Sequence, residues 1–393
     1  MFQFRGELLN SKSWANRALV IQYFNPHIKL NIDAQSEDVF HLKKSIELIR
    51  DSNEFDLGLG GTSLRFFLFL ISRSSGTYTL KAHRRLLDRP QQQALDILKQ
   101  LGVSSDIFGD SLIVHSKGWQ ATEKIFCSGD SSSQFVSGLL LSCWKLNFDL
   151  HIEIKKPLVS FGYLKMTLEL LRKAGMKIIQ SENEDFFRIE ILKNQTAAVD
   201  SLNQELDISS AFALAAAGLI DGEVEILNWN QASEQPDLVF LELFKKMNIN
   251  YFENSKSFKI AKQNSWSALD CDLSSSPDLF PVLAVLCAFA NGVSTLRGAA
   301  QLKHKESDRI VKTQELLNLI QVKTEILPDG LRIFGEGRDF FCESSSKFDP
   351  DHDHRMAMAA GLVKLLGFNV SILHPEVVNK SYPSFWKDVG LNL

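Results

Sequence analysis

Charged and hydroxyl side chains are clustered at six points of the chain, each directly before an apolar stretch. The clusters begin at Asn10, Gly60, Ser131, Asp278, Lys305 and Asp353. Ser, Thr and Asp at such positions are typical of helix N-caps. Capping does not require the cations in or beside these clusters, which are Lys12, Arg17, Arg65, Lys305, Arg309 and Arg355. A cation at a helix N-terminus opposes the helix dipole, whereas a bound anion accepts the N–H groups there and pairs with the cation. The clusters therefore predict a site for a strongly anionic ligand.

The overall composition limits the kind of protein that could carry this site. The chain has 393 residues, which at about 150 residues per domain predicts two or three domains. Hydrophobic residues make up 45% and charged residues 23%, which excludes a largely disordered chain. Lys and Arg number 43 against 47 Asp and Glu, giving a net charge of −4. This balance disfavours a general nucleic-acid binder, so any anion must be held by a local cluster.

Targeting and metal-binding signals are weak. The first residues contain no charged leader followed by an apolar run, and the longest apolar stretches are too short to span a bilayer. Five cysteines without a C-x-x-C pair predict neither a disulfide framework nor a zinc site. The acidic and histidine run at 351–354 could ligate a metal, but no other histidine has a matching spacing. We expect a soluble cytoplasmic protein without metal or organic cofactor, and with neither nucleic acid nor membrane as partner.

Common nucleotide and hydrolase motifs are also missing. The glycine-rich segment 58–63 has neither the spacing of a P-loop nor the third glycine of a dinucleotide fingerprint. No G-x-S-x-G sequence is present, which disfavours a serine hydrolase.

The elements that must position the clusters follow a repeat of 73 residues. Apolar or small residues at i, i+3, i+4 and i+7 predict amphipathic helices, with patterns starting at Ala94, Thr167, Phe240 and Thr313. Each pattern ends before a candidate left-handed C-cap, namely Gly102, Gly175, Asn248 and Gln321, of which Gln fits least well. Hairpins are predicted from paired runs at 176–179 with 187–191 and at 322–327 with 331–334. The repeat indicates serial copies of one α/β unit, grouped in two similar halves. The boundary between the halves is predicted near 203–207, before a helix that begins at Ile208.

Nine motifs resemble, in order, those of the 5-enolpyruvylshikimate-3-phosphate (EPSP) synthase family. They lie at 12–17, 61–65, 88–90, 132–134, 160–163, 277–278, 305–309, 353–356 and 380–383. One such motif is weak, but nine in order over nearly the whole chain are specific. The resemblance implies an α/β fold of two similar domains, each with three βαβαββ units in an inside-out, barrel-like arrangement. The domains would be 12–206, on the shikimate 3-phosphate side, and 1–11 with 207–393, on the phosphoenolpyruvate side, with the active site in the cleft between them.

The resemblance also implies the reaction. The enolpyruvyl (carboxyvinyl) group of phosphoenolpyruvate would be transferred to the 5-hydroxyl of shikimate 3-phosphate, with release of phosphate. This is a step of the shikimate pathway to chorismate and the aromatic amino acids. Addition and elimination would proceed through a tetrahedral intermediate, with domain closure excluding water. We expect a monomer whose partners are these two small molecules.

Site residues are implied by the same resemblance. Shikimate 3-phosphate would contact Lys12, Ser13, Arg17, Ser132, Ser133, Gln134, Ser160, Tyr163, Asp278, Gln301 and Lys305. Phosphoenolpyruvate would contact Lys12, Gly61, Arg89, Gln134, Arg309, Arg355 and Lys380. The catalytic residues would be Lys12, Asp278 and Glu306. Glu306 is favoured over Asp278 as the base for the reacting hydroxyl, and Lys12 or Glu306 would protonate the methylene carbon.

Other polar residues receive structural interpretations, and three positions depart from the family pattern. Arg65 is interpreted as a structural residue at a helix start, and Asp207 as a hinge or helix cap. Leu59 stands where the family usually has Asn, Ala15 replaces a common Ser, and Gln301 stands where an Asn commonly contacts the shikimate hydroxyls.

Three alternative functions remain at this point. A UDP-N-acetylglucosamine enolpyruvyl transferase shares the repeat fold, but its usual loop cysteine has no counterpart in 83–89. A non-catalytic phosphometabolite-binding relative would not need the full charged set that this chain keeps: Lys12, Asp278, Glu306 and Lys380. Nucleic-acid processing on a related repeat fold is disfavoured by the charge balance and by the lack of an aromatic base-stacking series.

Overall fold

A computed structural model of the chain describes residues 1–32, 36–343 and 345–393. The chain divides into two compact units, one formed by 10–204 and the other by 1–9 with 205–393. The first strand, β1 (Phe2–Gly6), belongs to the second of these units.

Unit 10–204 contains two four-stranded sheets and their helices. The helices are α1 (Lys12–Phe24), α2 (Glu37–Glu47), α3 (Gly61–Ile71), α4 (Arg84–Leu87), α5 (Gln92–Gln100), α6 (Ser133–Leu141) and α7 (Phe161–Lys173). The strands are β2 (Glu54–Asp56), β3 (Ser75–Lys81), β4 (Ser104–Phe108), β5 (Ser111–Lys117), β6 (Ile125–Ser128), β7 (Leu150–Lys155), β8 (Ile178–Glu182) and β9 (Phe186–Ile191). They form sheets of order β2-β3-β5-β4 and β6-β7-β9-β8.

The second unit repeats the same plan. Its helices are α8 (Ile208–Asp221), α9 (Phe240–Lys246), α10 (Phe280–Ala288), α11 (Arg309–Leu319), α12 (His354–Leu365) and α13 (Phe385–Asp388). Its further strands are β10 (Gly222–Ile226), β11 (Phe252–Glu253), β12 (Phe258–Ala261), β13 (Asp270–Asp272), β14 (Asn291–Arg297), β15 (Thr324–Leu327), β16 (Gly330–Glu336), β17 (Ser345–Phe348) and β18 (Asn369–Ile372). The sheets are β1-β10-β12-β11, β13-β14-β16-β15 and the pair β17-β18.

All four larger sheets have one topology. The first two strands are parallel neighbours, and the last two form an antiparallel hairpin whose second strand pairs with the second strand of the sheet. With the helices between them, the described residues give four βαβαββ units, one of which takes its first strand from β1. The predicted mixed α/β fold and both predicted hairpins, β8–β9 and β15–β16, are confirmed.

The 73-residue repeat is a repeat of helix ends. The four predicted patterns cover the last turns of α5, α7, α9 and α11 and end on the C-cap residue of each helix. The residue after each C-cap has a positive φ: Gly102 (76°), Gly175 (98°), Asn248 (57°) and Gln321 (60°). The next N–H then donates to a carbonyl five residues earlier, in the pairs Val103–Leu98, Met176–Leu171, Ile249–Phe244 and Val322–Leu317. These are Schellman bonds, and Gln321 adopts the conformation although Gln was the weakest candidate.

Buried helices carry the polar motifs at their starts. Each unit has its own hydrophobic core. All nine residues of α10 are buried, as are ten of the eleven in α3, because helices that are apolar on every side pack on every side. Their polar first residues are therefore held on rigid supports. No helix among the described residues combines the length and apolar character needed to cross a membrane.

Candidate active site

Four predicted motifs of unit 10–204 form helix starts. Ser11 caps α1, accepting at Oγ from the Trp14 N–H at 3.3 Å, so Lys12 lies in the first turn. Ser132 caps α6 in the same way, accepting from the Gln134 N–H at 3.3 Å. Gly60 precedes α3, and Ser160 precedes α7 in a left-handed conformation. Ser133 and Ser160 are both buried.

Lys12 is paired with an acidic residue that the sequence analysis did not select. Its Nζ lies 3.0 Å from Asp38 Oδ2, and the two side chains are 15% and 7% exposed. Asp38 lies in the first turn of α2 and packs beside the start of α3, where a Cβ on Gly60 would lie 2.8 Å from Oδ1. The run of serine and acids at 36–38, typical of a helix start, was the available signal.

Arg17 is a buried cation surrounded by neutral acceptors. Its Nε donates to Thr167 Oγ1 at 2.8 Å, Nη1 to the Ser13 carbonyl at 2.7 Å and Nη2 to the Tyr163 carbonyl at 3.1 Å. Burial lowers the pKa of Arg17 to about 10, and Tyr163 partly opposes this effect. No carboxylate of the described residues forms an ion pair with it. The structure thus joins Ser13, Arg17 and Tyr163 around an unneutralised positive charge.

Arg65 joins three of the predicted motifs. Its Nη1 donates to Gln134 Oε1 at 2.6 Å, and its Nη2 donates to the Pro90 carbonyl at 3.2 Å. The Gln134 amide also donates from Nε2 to Thr62 Oγ1 at 2.9 Å. Arg65 is buried, in agreement with its structural interpretation.

Gly61 and Arg89 are in close contact at the start of α3. A Cβ built on Gly61 would lie 3.0 Å from Arg89 Nη1. A side chain at this position would crowd the guanidinium, so glycine permits its close approach to the start of α3.

The second unit contains a dense ion network, here called the acid–base cluster, formed by Asp278, Lys305, Glu306, Arg309, Asp353, Arg355 and Lys380. Arg309 is its centre. Nη1 donates to Asp278 Oδ1 at 2.8 Å, Nη2 to Glu306 Oε2 at 2.9 Å, and Nε to Asp353 Oδ2 at 2.7 Å.

The outer contacts complete the acid–base cluster. Arg355 Nη2 donates to Asp278 Oδ2 at 2.8 Å, and Lys380 Nζ to Glu306 Oε1 at 3.1 Å. Lys305 Nζ lies 3.6 Å from Asp278 Oδ1. The structure therefore brings together six predicted residues, and it places each of the two candidate catalytic carboxylates between at least two cations.

Gln301 is not tied into this network by a hydrogen bond. It lies in a 3-10 helix at Ala300–His304, is 9% exposed, and donates from Nε2 to the Ser274 carbonyl at 3.4 Å. Its Oε1 is buried without a hydrogen-bond partner among the described residues. An unpaired buried acceptor is costly and is consistent with a ligand donor.

The cations determine which forms of the charged groups are stable. Burial alone would raise the pKa of Asp278, but three neighbouring cations outweigh it, with Arg355 contributing most, followed by Lys305 and Arg309. The pKa of this carboxyl consequently lies well below its usual range. Burial would likewise lower the pKa of Arg309, but its carboxylate partners raise that pKa above its ordinary value. Asp278 is therefore ionised near neutral pH and is a weak base.

Asp353 was quoted within a motif but was not selected as a site residue. It is fully buried and forms an ion pair with Arg309. It also caps α12, where its side chain accepts from the Arg355 N–H at 2.9 Å. Asp207 caps α8, accepting from the Ser210 N–H at 2.8 Å, which confirms its interpretation as a cap. Within the described ranges, no three His, Cys, Asp or Glu side chains are grouped so as to hold a metal ion.

The fold is that of the enolpyruvyl transferases. EPSP synthase from Acinetobacter baumannii matches with a TM-score of 0.74 at 19% identity, covering 99% of this chain and 95% of that one. The enolpyruvyl transferase NikO from Streptomyces tendae matches with a TM-score of 0.68 at 14% identity, covering 99% and 94%.

Sequence comparison gives the family within this fold. The model of the EPSP synthase (3-phosphoshikimate 1-carboxyvinyltransferase) family matches residues 27–389. A 3-phosphoshikimate 1-carboxyvinyltransferase of Methanococcus maripaludis is 31% identical over 98% of this chain and 90% of its own length. That of Clostridium acetobutylicum is 31% identical over 91% and 82%. The chain belongs to the EPSP synthase family, which confirms the resemblance and, with it, the predicted transferase activity in the shikimate pathway.

Proposed function

We propose that the chain transfers the enolpyruvyl group of phosphoenolpyruvate to the 5-hydroxyl of shikimate 3-phosphate through the residues described above. The observation that carries this assignment of roles is the position of Asp278 and Glu306. Each carboxylate shares Arg309 and has a second cation of its own, Arg355 or Lys380. Such a network supplies both a base and binding groups for anions.

Phosphoenolpyruvate would bind to the cations of the acid–base cluster. Its phosphate and carboxylate match the planar, two-point donors of Arg309 and Arg355, with Lys380 as a compact third charge. Gly61, Arg89, Gln134 and Lys12 would contribute from the other unit. Because the substrate is itself anionic, it would compete with Glu306 for Arg309 and Lys380.

This competition provides a base at the moment of reaction. A carboxylate surrounded by cations has a lowered pKa and binds protons weakly. When Arg309 and Lys380 bind phosphoenolpyruvate instead, Glu306 would regain basicity and take the proton of the 5-hydroxyl. The oxygen of that hydroxyl then attacks C2 of phosphoenolpyruvate. Before this proton transfer, Asp278, which stays ionised, would accept the hydrogen bond of that hydroxyl and orient it. Lys12 or Glu306 would deliver a proton to C3, giving the tetrahedral intermediate, which then loses phosphate and a C3 proton.

Shikimate 3-phosphate would bind mainly to unit 10–204. Its phosphate would accept from Ser132, Ser133 and Ser160 at the starts of α6 and α7, where unpaired backbone N–H groups also favour anions. Lys305 would lie nearby.

The carboxylate and ring of shikimate 3-phosphate would lie at Arg17. This guanidinium has five N–H donors, of which three are used within the protein. The remaining donors would face the carboxylate, beside Ser13. Tyr163 would pack against the ring, and Gln301, with its unpaired Oε1, would accept from a ring hydroxyl.

The finer architecture is part of the proposal. Two similar domains, 12–206 and 1–11 with 207–393, would each contain three βαβαββ units, of which the first and the last in the chain are shortened. The site would lie in the cleft between the domains and close around the substrates, excluding water. The protein would act as a cytoplasmic monomer and use side chains alone, without metal or organic cofactor.

A phosphate-release assay with two acceptors tests the proposed function. The chain is incubated with phosphoenolpyruvate and either shikimate 3-phosphate or UDP-N-acetylglucosamine. We expect release with shikimate 3-phosphate only. Phosphate release with UDP-N-acetylglucosamine alone would indicate a UDP-N-acetylglucosamine enolpyruvyl transferase. No release with either acceptor would refute the proposed turnover.

A further inference from the structure

Arg355 has a second anchor outside the residues that the proposed reaction uses. Its Nη2 donates to Asp278 Oδ2 at 2.8 Å and also to Ser209 Oγ at 3.2 Å. Ser209 in turn donates its hydroxyl proton to Asp237 Oδ2. Ser209 is the second residue of α8, and Asp237 lies in the 3-10 helix Pro236–Val239 and is 2% exposed.

The chemistry of the three groups fixes the direction of this chain of hydrogen bonds. A serine hydroxyl has one proton to donate and two lone pairs to accept with, whereas an ionised carboxylate can only accept and a guanidinium can only donate. The Ser209 proton is therefore committed to Asp237, and its lone pairs face Arg355. A carboxylate as buried as Asp237 needs such partners, because an unpaired buried charge is strongly unfavourable.

The two arginines of the acid–base cluster thus have different anchors. Arg309 is gripped directly by Asp353, which is fully buried. Arg355 contacts Asp278, the carboxylate that would turn to the substrate hydroxyl, and contacts Ser209 separately. When Asp278 turns, Ser209 still holds the guanidinium.

We propose that Ser209 and Asp237 are positioning residues that keep Arg355 oriented towards phosphoenolpyruvate while Asp278 engages the other substrate. The inference rests on the proposed function, since it takes Arg355 to bind phosphoenolpyruvate. The expected effect is on phosphoenolpyruvate, because Ser209 contacts Arg355 itself, whereas Asp278 keeps its contacts with Arg309 and Lys305.

The test compares Ser209→Ala with Ser209→Thr and with a matched control, Ser210→Ala, in the same helical turn. Ser210 contributes only its backbone N–H to the cap, which alanine keeps. For each variant, kcat and both KM values are measured at saturating concentration of the fixed substrate. We expect Ser209→Ala to raise the KM for phosphoenolpyruvate roughly tenfold, the loss typical of a hydrogen bond to a charged group. The KM for shikimate 3-phosphate should stay unchanged, Ser209→Thr should restore most of the affinity, and Ser210→Ala should resemble wild type.

A second variant, Asp237→Asn, tests the other end of the hydrogen-bond series that runs from Arg355 through Ser209 to Asp237. It keeps the shape and one acceptor but removes the charge, so we expect a smaller rise in the same KM, roughly threefold. An unchanged KM for phosphoenolpyruvate in active Ser209→Ala, or an equal rise in both KM values, would overturn the inference. Inactivity of the wild-type chain would instead refute the proposed function, so the two failures are distinguishable.

Discussion

Arg309 and Asp353 form a buried ion pair with two contacts, Nε to Oδ2 at 2.7 Å and Nη2 to Oδ1 at 3.2 Å. The two residues are 44 positions apart in the chain and begin different helices, α11 and α12. Their side chains are 2% and 0% exposed. The pair therefore fixes the relative position of two helix starts and the orientation of the guanidinium that contacts both candidate catalytic carboxylates.

Replacing Asp353 by Ala should destabilise the protein severely. Arg309 would keep its charge, because a guanidinium stays protonated in proteins and Asp278 and Glu306 remain beside it, but it would lose its most buried partner. Removing one member of a buried ion pair typically costs about 3–5 kcal/mol. Urea unfolding measures this loss, with Glu325→Gln, which breaks the exposed pair with Arg332, as the control. A midpoint as little changed as that of the control would contradict the importance given to the pair.

Glu306→Gln should lower kcat by about 10²- to 10⁴-fold, the range typical for loss of a general base. The KM values should change far less, because the amide has nearly the same shape. Steady-state kinetics provide the measurement, and Glu315→Gln on α11, the helix that follows Glu306, is the matched control, since Glu315 forms a partly exposed pair with Lys312. Unchanged turnover of Glu306→Gln would exclude Glu306 as the base.

Asp38→Asn should reduce kcat/KM by about tenfold, since Lys12 would lose the charged partner that holds its ammonium. The neighbouring exposed residue offers a control, because Glu37→Gln alters charge at the same helix start without touching Lys12. Kinetics at fixed pH compare the two variants. Equal activity of both would mean that the Lys12–Asp38 pair does not contribute to catalysis.

Gly61→Ala should raise the KM for phosphoenolpyruvate. The new methyl group would lie 3.0 Å from Arg89 Nη1 and would displace the guanidinium. Gly109→Ala is a useful comparison, since its Cβ would meet nothing within 4 Å. A KM for phosphoenolpyruvate that is as unchanged in Gly61→Ala as in this comparison would argue against a role for the Gly61–Arg89 contact.

The acid stability of the protein should depend on Asp278. Its pKa in the folded state is lower than in the unfolded chain, so unfolding takes up a proton at acidic pH. The contribution is fully present above the ordinary pKa of about 3.9 and is lost as pH falls below it. Urea midpoints measured from pH 7 down to pH 3 should therefore fall more steeply for wild type than for Asp278→Asn. Parallel curves would contradict the lowered pKa.

Local patterns in the sequence predicted the helix ends and hairpins well, because these features depend mainly on residues that are neighbours in the chain. The ends of α5, α7, α9 and α11 followed from periodicity and from the residue after each helix. Even Gln321 was found, although a side chain at positive φ is unfavourable, because the buried Val322 and its Schellman bond stabilise the conformation there. The start of α7 at Phe161, six residues before the pattern at Thr167, was not indicated, since Ser160 precedes it in a left-handed conformation and forms no side-chain cap hydrogen bond.

Ion pairing could not be predicted in the same way. The cations at helix starts were recognised from the sequence, because an unexplained charge beside an N-cap is a local feature. Their partners depend on tertiary packing, as for Lys12 with Asp38 or Arg355 with Ser209, which are 26 and 146 positions apart. The roles given to the site residues stay predictions until they are tested on the protein.

Enolpyruvyl transfer with Glu306 as the base is tested most directly by following both substrates and products by ³¹P NMR, with wild-type protein and with Glu306→Gln in parallel. We expect wild type to convert phosphoenolpyruvate and shikimate 3-phosphate in equal amounts into inorganic phosphate and the enolpyruvyl ether. Glu306→Gln, still folded, should leave both substrate signals nearly unchanged over the same time. Equal product formation by the two proteins, or consumption of phosphoenolpyruvate by wild type without shikimate 3-phosphate, would contradict this mechanism.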